Sequence, residues 1–209
     1  MKQPISLRIF FATGIGVSIL ATAGIGYGQD WLAKRKCVRC DLTRIDLVNA
    51  NLQNVNFRGT NFTFANLQEA NLSGANLSGA RLVQTKLARA ILSNAILDAA
   101  NLVKSDLRDV NLQGASLESA RIVQANLNGA QLIGAKMRGI NFSDSDLKNA
   151  DLRNADLLAA NFTNADCRDV DFGGANLQGA NFSGAKVEGA KFKGANLKDV
   201  ALPDGASLP

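Results

Sequence analysis

Residues Cys37–Gln53 read CVRCDLTRIDLVNANLQ. The stretch opens as C-x-x-C, then settles into Leu42, Leu47 and Leu52, five residues apart, each preceded by Asp or Asn. One frame continues this spacing from Cys40 to Asp204 as 33 consecutive pentapeptides. With the central apolar residue called i, Leu or Phe fills i in 29 of the 33, and Ile122, Met137, Cys167 and Val187 are the exceptions. Ala stands at i−2 in 22 repeats, Asn or Asp at i−1 in 22, and Gly or Asn at i+2 in 18.

A period of five fits neither common element. Each helical residue turns about 100°, so every fifth side chain advances about 140° and the leucines would spiral around all sides. Strand side chains alternate, so an odd period sends successive leucines to opposite faces. The chain must therefore bend once per repeat. Residues i, i+1, i+2 and the next i−2 suit a β-turn whose third place needs φ > 0, which Gly and Asn accept. Four such bends return the chain above itself, so one coil is about 20 residues, with i−2 and i pointing inward. Stacked at about 4.8 Å, the repeats make a slender rod of about eight coils.

The motifs ANLSGANL, ADLRNADL and ANFSGA resemble the A-[ND]-L-x-x consensus of the pentapeptide repeat family. The resemblance implies an all-β fold, a right-handed quadrilateral β-helix. It departs from consensus at Cys40, Ile45, Ile91 and Ile96. The leader, the C-x-x-C and the D-L start are also similar to exported cyanobacterial and thylakoid-lumenal members. The expected organisation is residues 1–28 as a signal peptide or membrane anchor, 29–39 as an N-terminal cap carrying C-x-x-C, 40–204 as the β-helix, and 205–209 as a tail.

The leader reading rests on MKQPISLR followed by 20 uncharged residues, Ile9–Gly28. A basic start, an apolar run and small residues form an export signal, while 20 residues also suffice to span a membrane. Lys34, Arg35, Lys36 and Arg39 follow the run; on the translocated side they oppose the positive-inside tendency, which favours a cleaved signal. The expected location is therefore a periplasm or thylakoid lumen.

Composition narrows function. The chain has 209 residues, no His and a net charge of +5, yet from Asp41 onward 17 cations meet 17 acids. Without His, the usual general base and commonest metal ligand are missing. No cofactor and no metal site are expected. A neutral body lacks the basic face that nucleic-acid binding needs.

Cys37 falls at an i position and Cys40 at the next i−2, so the two bracket one turn with Cα atoms within about 7 Å. A structural disulfide suits that spacing and an exported protein; free thiols, or a redox site using the same pair, remain alternatives. Cys167, in the column Leu127, Leu147, Cys167 and Val187, reads as a buried hydrophobe. QDWLAKRK, with Trp31 and Leu32, reads as a lid over the first coil. Steps of 20 also place Phe142, Phe162 and Phe182 in one internal ladder.

Outward candidates are Val83, Val103 and Val123 in one column, with Phe64 near them, and Ile91 and Ile96 in place of the usual Asn or Asp. Apolar residues aligned on a surface suggest a partner site; side chains tucked into the wall are the alternative. Asp146 with Asp166, and Asp151 with Asp171, stack in columns and leave cation binding open.

The expected function is a non-catalytic, exported structural or protein-interaction scaffold with an unknown protein partner. Membrane contact is expected only through an uncleaved leader, and end-to-end pairing of two copies is open because little follows Leu202. The resemblance supplies a different reading, since some family members mimic DNA and bind type II topoisomerases. That role needs a strongly acidic surface, whereas Arg81, Lys86, Arg121 and Lys136 interrupt the Asn/Asp positions here.

Overall fold

The computed structural model of the protein describes residues 34–203. The leader at 1–28, the lid residues Trp31 and Leu32, and the tail 205–209 lie outside the described residues. Every i+2 residue from Arg39 to Asp199 has φ between 53 and 74°. The N–H of the next i−2 residue commonly closes the turn onto the carbonyl of i, as from Ala80 to Leu77 at 2.9 Å. Each pentapeptide therefore carries one β-turn with a left-handed third residue.

Pairing recurs at steps of 20: Asp41 with Asn61, Asn61 with Arg81, Arg81 with Asn101, all parallel. Four turns thus make one coil, and the coils stack in register. Among the described residues the bridges are isolated, and no longer strand forms. The sheet structure expected of an all-β helix is reduced to ladders of single residues at i−1. The cause is local: i+1 and i+2 are spent in the turn, which leaves too little extended chain per side for a strand.

Backbone donors of the repeat are accounted for almost completely. Around Leu72, the N–H of Leu72 donates to Ile91, that of Gly74 to Ser93, and that of Asn71 back to Ala50, at 2.7–3.0 Å. The N–H of Ala75 closes the turn onto Leu72 at 2.9 Å. Only the i+1 N–H is left, and the i−1 side chain takes it: Ser73 donates to Asn71 Oδ1 at 3.1 Å. All 22 Asn and Asp residues at i−1 accept such a bond, at 2.9–3.5 Å. The Asn/Asp preference at i−1 is thus a demand of the backbone.

Side chains at i and i−2 fill the interior from Leu47 to Ala185, all buried. Each large one contributes about 1.5–3 kcal/mol through burial, opposed by the entropy of ordering the backbone. Phe142, Phe162 and Phe182 stack in file, with centroids 5.3 and 4.5 Å apart. A second file, Phe172 on Phe192 at 5.1 Å, meets the first edge-on. Four polar residues are buried at i−2, and Thr85 shows how they are tolerated: its hydroxyl donates to the Phe62 carbonyl at 2.8 Å.

Pairing begins earlier than the sequence frame placed it. Lys36 bridges to Asn56, and the Cys37 N–H donates to Asn56 at 2.8 Å. Residues 36–39, expected in the cap, already belong to the first coil. A short turn at Lys34 and Arg35 leads directly into it.

Candidate interaction surface

A filled interior leaves chemistry to the outside of the rod. Among the described residues, no buried side-chain polar atom lacks a partner. No group of three or more His, Cys, Asp or Glu side chains able to hold a metal occurs among them either. Nor is any described helix long and apolar enough to cross a membrane.

Cys37 and Cys40 are joined as a disulfide, with Cα atoms 5.4 Å apart, and both are buried at the start of the first coil. Thr60, in the next coil, donates its hydroxyl to the Cys37 carbonyl. Cys167 is a free cysteine inside the core, and burial pushes its thiol well above the ordinary range. A thiol kept protonated in an apolar interior is a poor nucleophile.

Six of the outward carboxylates, Glu69, Asp106, Asp146, Asp151, Asp156 and Asp166, are paired with neighbouring cations. Arg108 pairs with Asp106 at 2.7 Å, Arg153 with Asp151 at 2.6 Å and Arg168 with Asp166 at 2.6 Å. In each pair the acid is at i−1 and the arginine at i+1 of one repeat, so both leave the same side of the turn. The guanidinium holds each carboxyl below the usual carboxylate range. Partial burial pushes Asp156 up, but hydrogen bonds from Arg138 and Asn176 outweigh it and lower the group. Lys148 holds Asp146 at 3.1 Å. The stacked Asp146 with Asp166 and Asp151 with Asp171 are bridged in the ladders as expected, but three of the four carboxylates already have a cation beside them. The D-x-R spacing that makes these pairs is visible in the sequence once the frame is known, and it went unread there.

The apolar candidates divide. Phe64, Ile91 and Ile96 are exposed, at 46, 38 and 39 %. Val83, Val103 and Val123 do form one column, but each is half-buried, so the column shows less apolar surface than its alignment suggests. Phe64 sits at i+2 with φ of 61°, a costly conformation for a bulky residue, and the Arg44 guanidinium lies 5.3 Å from its ring centroid. Ile91 and Ile96 occupy i−1 on consecutive sides of one coil, where Asn71 and Asn76 stand one coil below. Neither isoleucine can supply the acceptor that Asn gives the i+1 N–H, so each gives up a backbone bond to show an apolar side chain. Val38, 38 % exposed beside the disulfide, is a further apolar residue that the sequence reading passed over.

One side of the rod also carries a shallow, open polar recess lined by Ser93, Asn94, Asn111, Gln113, Ile133 and Asn154. It exists because Gly114 and Gly134 stand at i+2 on successive coils and leave space that a side chain would take. Its polar side chains are uncharged amides and one hydroxyl, beside the apolar Ile133, and suit neutral hydrogen-bonding partners.

Comparison with known proteins places this geometry. The pentapeptide repeats profile matches eight copies over residues 40–79, 75–114, 125–157 and 160–199. No curated protein sequence matches the chain significantly. Among solved structures, the chain is similar to HetL, a pentapeptide repeat protein involved in heterocyst differentiation regulation from the cyanobacterium Nostoc sp. strain PCC 7120. The two are 31 % identical over 83 % of this chain and 89 % of that one, with a TM-score of 0.44. It is also similar to trypsin-treated QnrB1, a plasmid-mediated fluoroquinolone resistance protein, at 18 % identity over 80 % of this chain and 91 % of that one, with a TM-score of 0.64. A pentapeptide repeat protein from the Arabidopsis thaliana thylakoid lumen is 32 % identical over 63 % of this chain and 71 % of that one, with a TM-score of 0.30. With an unbroken five-residue frame, a left-handed residue in every described turn and the matched repeats, the chain belongs to the pentapeptide repeat family.

Proposed function

We propose that the protein is a right-handed, four-sided β-helix acting as an exported, non-catalytic scaffold that binds a protein partner through the two adjacent sides bearing Ile91 and Ile96. The observation that carries this is the exchange at those two positions. At i−1 the backbone asks for Asn or Asp, and 22 repeats comply; here two successive repeats give up that bond to place isoleucines in solvent. An apolar pair held at a cost to local structure suits a protein contact. The fold shared with QnrB1 supports the handedness, and the uncharged run Ile9–Gly28 behind a basic start supports export.

The last coil bears on self-association. Val187, Ala190, Ala195 and Leu197 pack on the core yet are only partly buried, with no further coil over them among the described residues. Such an end is open to a second copy. Sedimentation across a concentration series tests it, and a single monomeric species throughout would exclude it.

The test of the scaffold reading is cross-linking from a photo-reactive residue at Ile91, compared with one at Gln124 on another side, in the protein's own compartment. The expected result is one dominant adduct from Ile91 that is lost in Ile96→Asn. Equal, diffuse adducts from both sites would overturn the reading.

A further inference from the structure

Charge on the rod is unevenly compensated. Along residues 59–185, eleven cations face twelve acids, and Arg89, Arg108, Arg138, Arg153 and Arg168 are each in an ion pair. Residues 34–58 instead hold Lys34, Arg35, Lys36, Arg39, Arg44 and Arg58 against only Asp41 and Asp46. All six cations are exposed. Among the described residues, Arg35, Lys36, Arg39, Arg44 and Arg58 take part in no ion pair with a carboxylate. Arg58 shows why. It stands at i+1, the place where Arg108, Arg153 and Arg168 meet an aspartate at i−1, but its own repeat supplies Asn56. The asparagine keeps the backbone bond and withholds the charge.

These cations cluster on two adjacent sides at one end of the rod, while residues 45–54, on the other two sides of that coil, hold no cation. Lys36 lies in the ladder beside Asn56, and the Arg39 N–H donates to the Arg58 carbonyl at 2.9 Å. Arg35 reaches the Gln53 carbonyl at 2.6 Å, and Arg44 leans on Phe64. Val38 and Phe64, two of the four large hydrophobics exposed in the described body, sit among them. Cations interleaved with exposed apolar side chains suit a bilayer surface, where the charges meet lipid phosphates and the apolar groups enter the headgroup layer. The covalent order favours the same occupant. Only five residues separate Gly28, the end of the uncharged run, from Lys34. At no more than about 3.6 Å per residue, Lys34, where the basic cluster begins, stays within about 22 Å of that run while the run is attached.

We infer that the basic start of the rod is a docking surface for anionic phospholipid headgroups, holding that end against a membrane. The cluster belongs to the folded coils, so the inference requires neither cleavage nor retention of residues 1–28. It uses a surface separate from Ile91 and Ile96, so it stands or falls apart from the scaffold reading.

The experiment is co-sedimentation of the full chain with vesicles of phosphatidylcholine alone and with phosphatidylglycerol added. The readout is the ratio of the two affinities, which cancels charge-independent insertion of the apolar run. The variant is Arg39→Glu/Arg44→Glu/Arg58→Glu; Glu69 already occupies an i+2 turn position with φ of 58°, so that turn accepts the residue. With each surface cation worth about fivefold, the ratio should fall at least about tenfold, and added salt should lower it in the parent. Lys186→Glu/Lys193→Glu, at the opposite end, should leave the ratio unchanged. Should the triple variant misfold, Lys36→Gln/Arg58→Gln should still lower the ratio severalfold. An unchanged ratio in the cluster variants overturns the inference. So does an equal fall in the opposite-end variant, which would report net charge alone. So does release from anionic vesicles by duplex DNA at equal phosphate concentration, which would mark the cluster as a nucleic-acid surface.

Discussion

The Asn94 side-chain oxygen lies 2.7 Å from the point where a Cβ on Gly114 would project. One coil further on, Gly134 has the same backbone, φ of 65° against 66°, but nothing within 4 Å of that point. The two glycines separate two costs that usually come together. Gly134→Ala should lose only the left-handed penalty, about 1–2 kcal/mol. Gly114→Ala should lose that and more, because Asn94 must also swing away. Chemical denaturation of both variants measures the difference, and Asn94→Gly combined with Gly114→Ala should remove it. Equal losses in the two single variants would mean that Asn94 yields freely.

The i−1 acceptor makes a sharper demand. Asn126 Oδ1 takes the N–H of Asn128 at 3.0 Å. Asn126→Ala should cost about 0.5–1.5 kcal/mol and speed amide exchange at Asn128. Asn126→Asp, which keeps the acceptor, should leave exchange at Asn128 slow. Exchange at Asn128 that ignores both substitutions would remove the backbone explanation of the repeat.

Most of the fold was legible because one inference, that a period of five cannot hide on a helix or a flat strand, constrains every residue at once. The left-handed turn at i+2 and the phenylalanine file followed from the same frame. The 22 asparagine and aspartate bonds did not, because recognising them requires knowing which backbone donor the stacking leaves over. The first coil was set too late because the residues before Cys40 break the consensus, so only inter-coil pairing reveals Lys36 on the ladder. Surface function was the least legible. Exposure at Phe64 and Ile91 and half-burial at Val83 depend on neighbouring coils, which a column read one residue at a time does not weigh.

The ion pairs make stability depend on acid. Asp106, Asp151, Asp156 and Asp166 all have lowered pKa values in the folded chain, while an unfolded aspartate titrates near about 3.9. A lowered folded value means that the unfolded chain binds protons first. Their contribution is thus whole above about pH 5 and is lost as pH falls through the folded values. With no His in the chain, the melting temperature should be flat between about pH 5 and 8. Asp106→Asn/Asp151→Asn/Asp166→Asn keeps every backbone acceptor and removes the titrating charge, so it should flatten the acid limb. Cys167 predicts an opposite limb. Its raised thiol stays protonated when folded and ionises when unfolded, so stability should fall above about pH 8.5, and less so in Cys167→Val. An acid limb that survives the triple variant would assign acid sensitivity to other carboxylates.

The disulfide should act locally. A bridge closing so short a loop restricts the unfolded chain by about 2 kcal/mol, and in a solenoid each coil feels mainly its neighbours. Cys40→Ala places the commonest i−2 residue at that site and removes the bridge. Amide exchange should then rise at Cys37 and Arg39, whose N–H groups donate to Asn56 and Arg58 at 2.8 and 2.9 Å. Exchange at Phe162, inside the aromatic file, should not change. A redox role for the pair predicts a different outcome: thiol-disulfide exchange activity lost in Cys40→Ala while exchange at the first coil stays as slow as in the parent. The two readings diverge because a clamp acts through the coil it closes, whereas a redox site needs its sulfurs accessible. Both sulfurs belong to residues buried against the first coil beneath Thr60, so the clamp is the outcome that the burial supports.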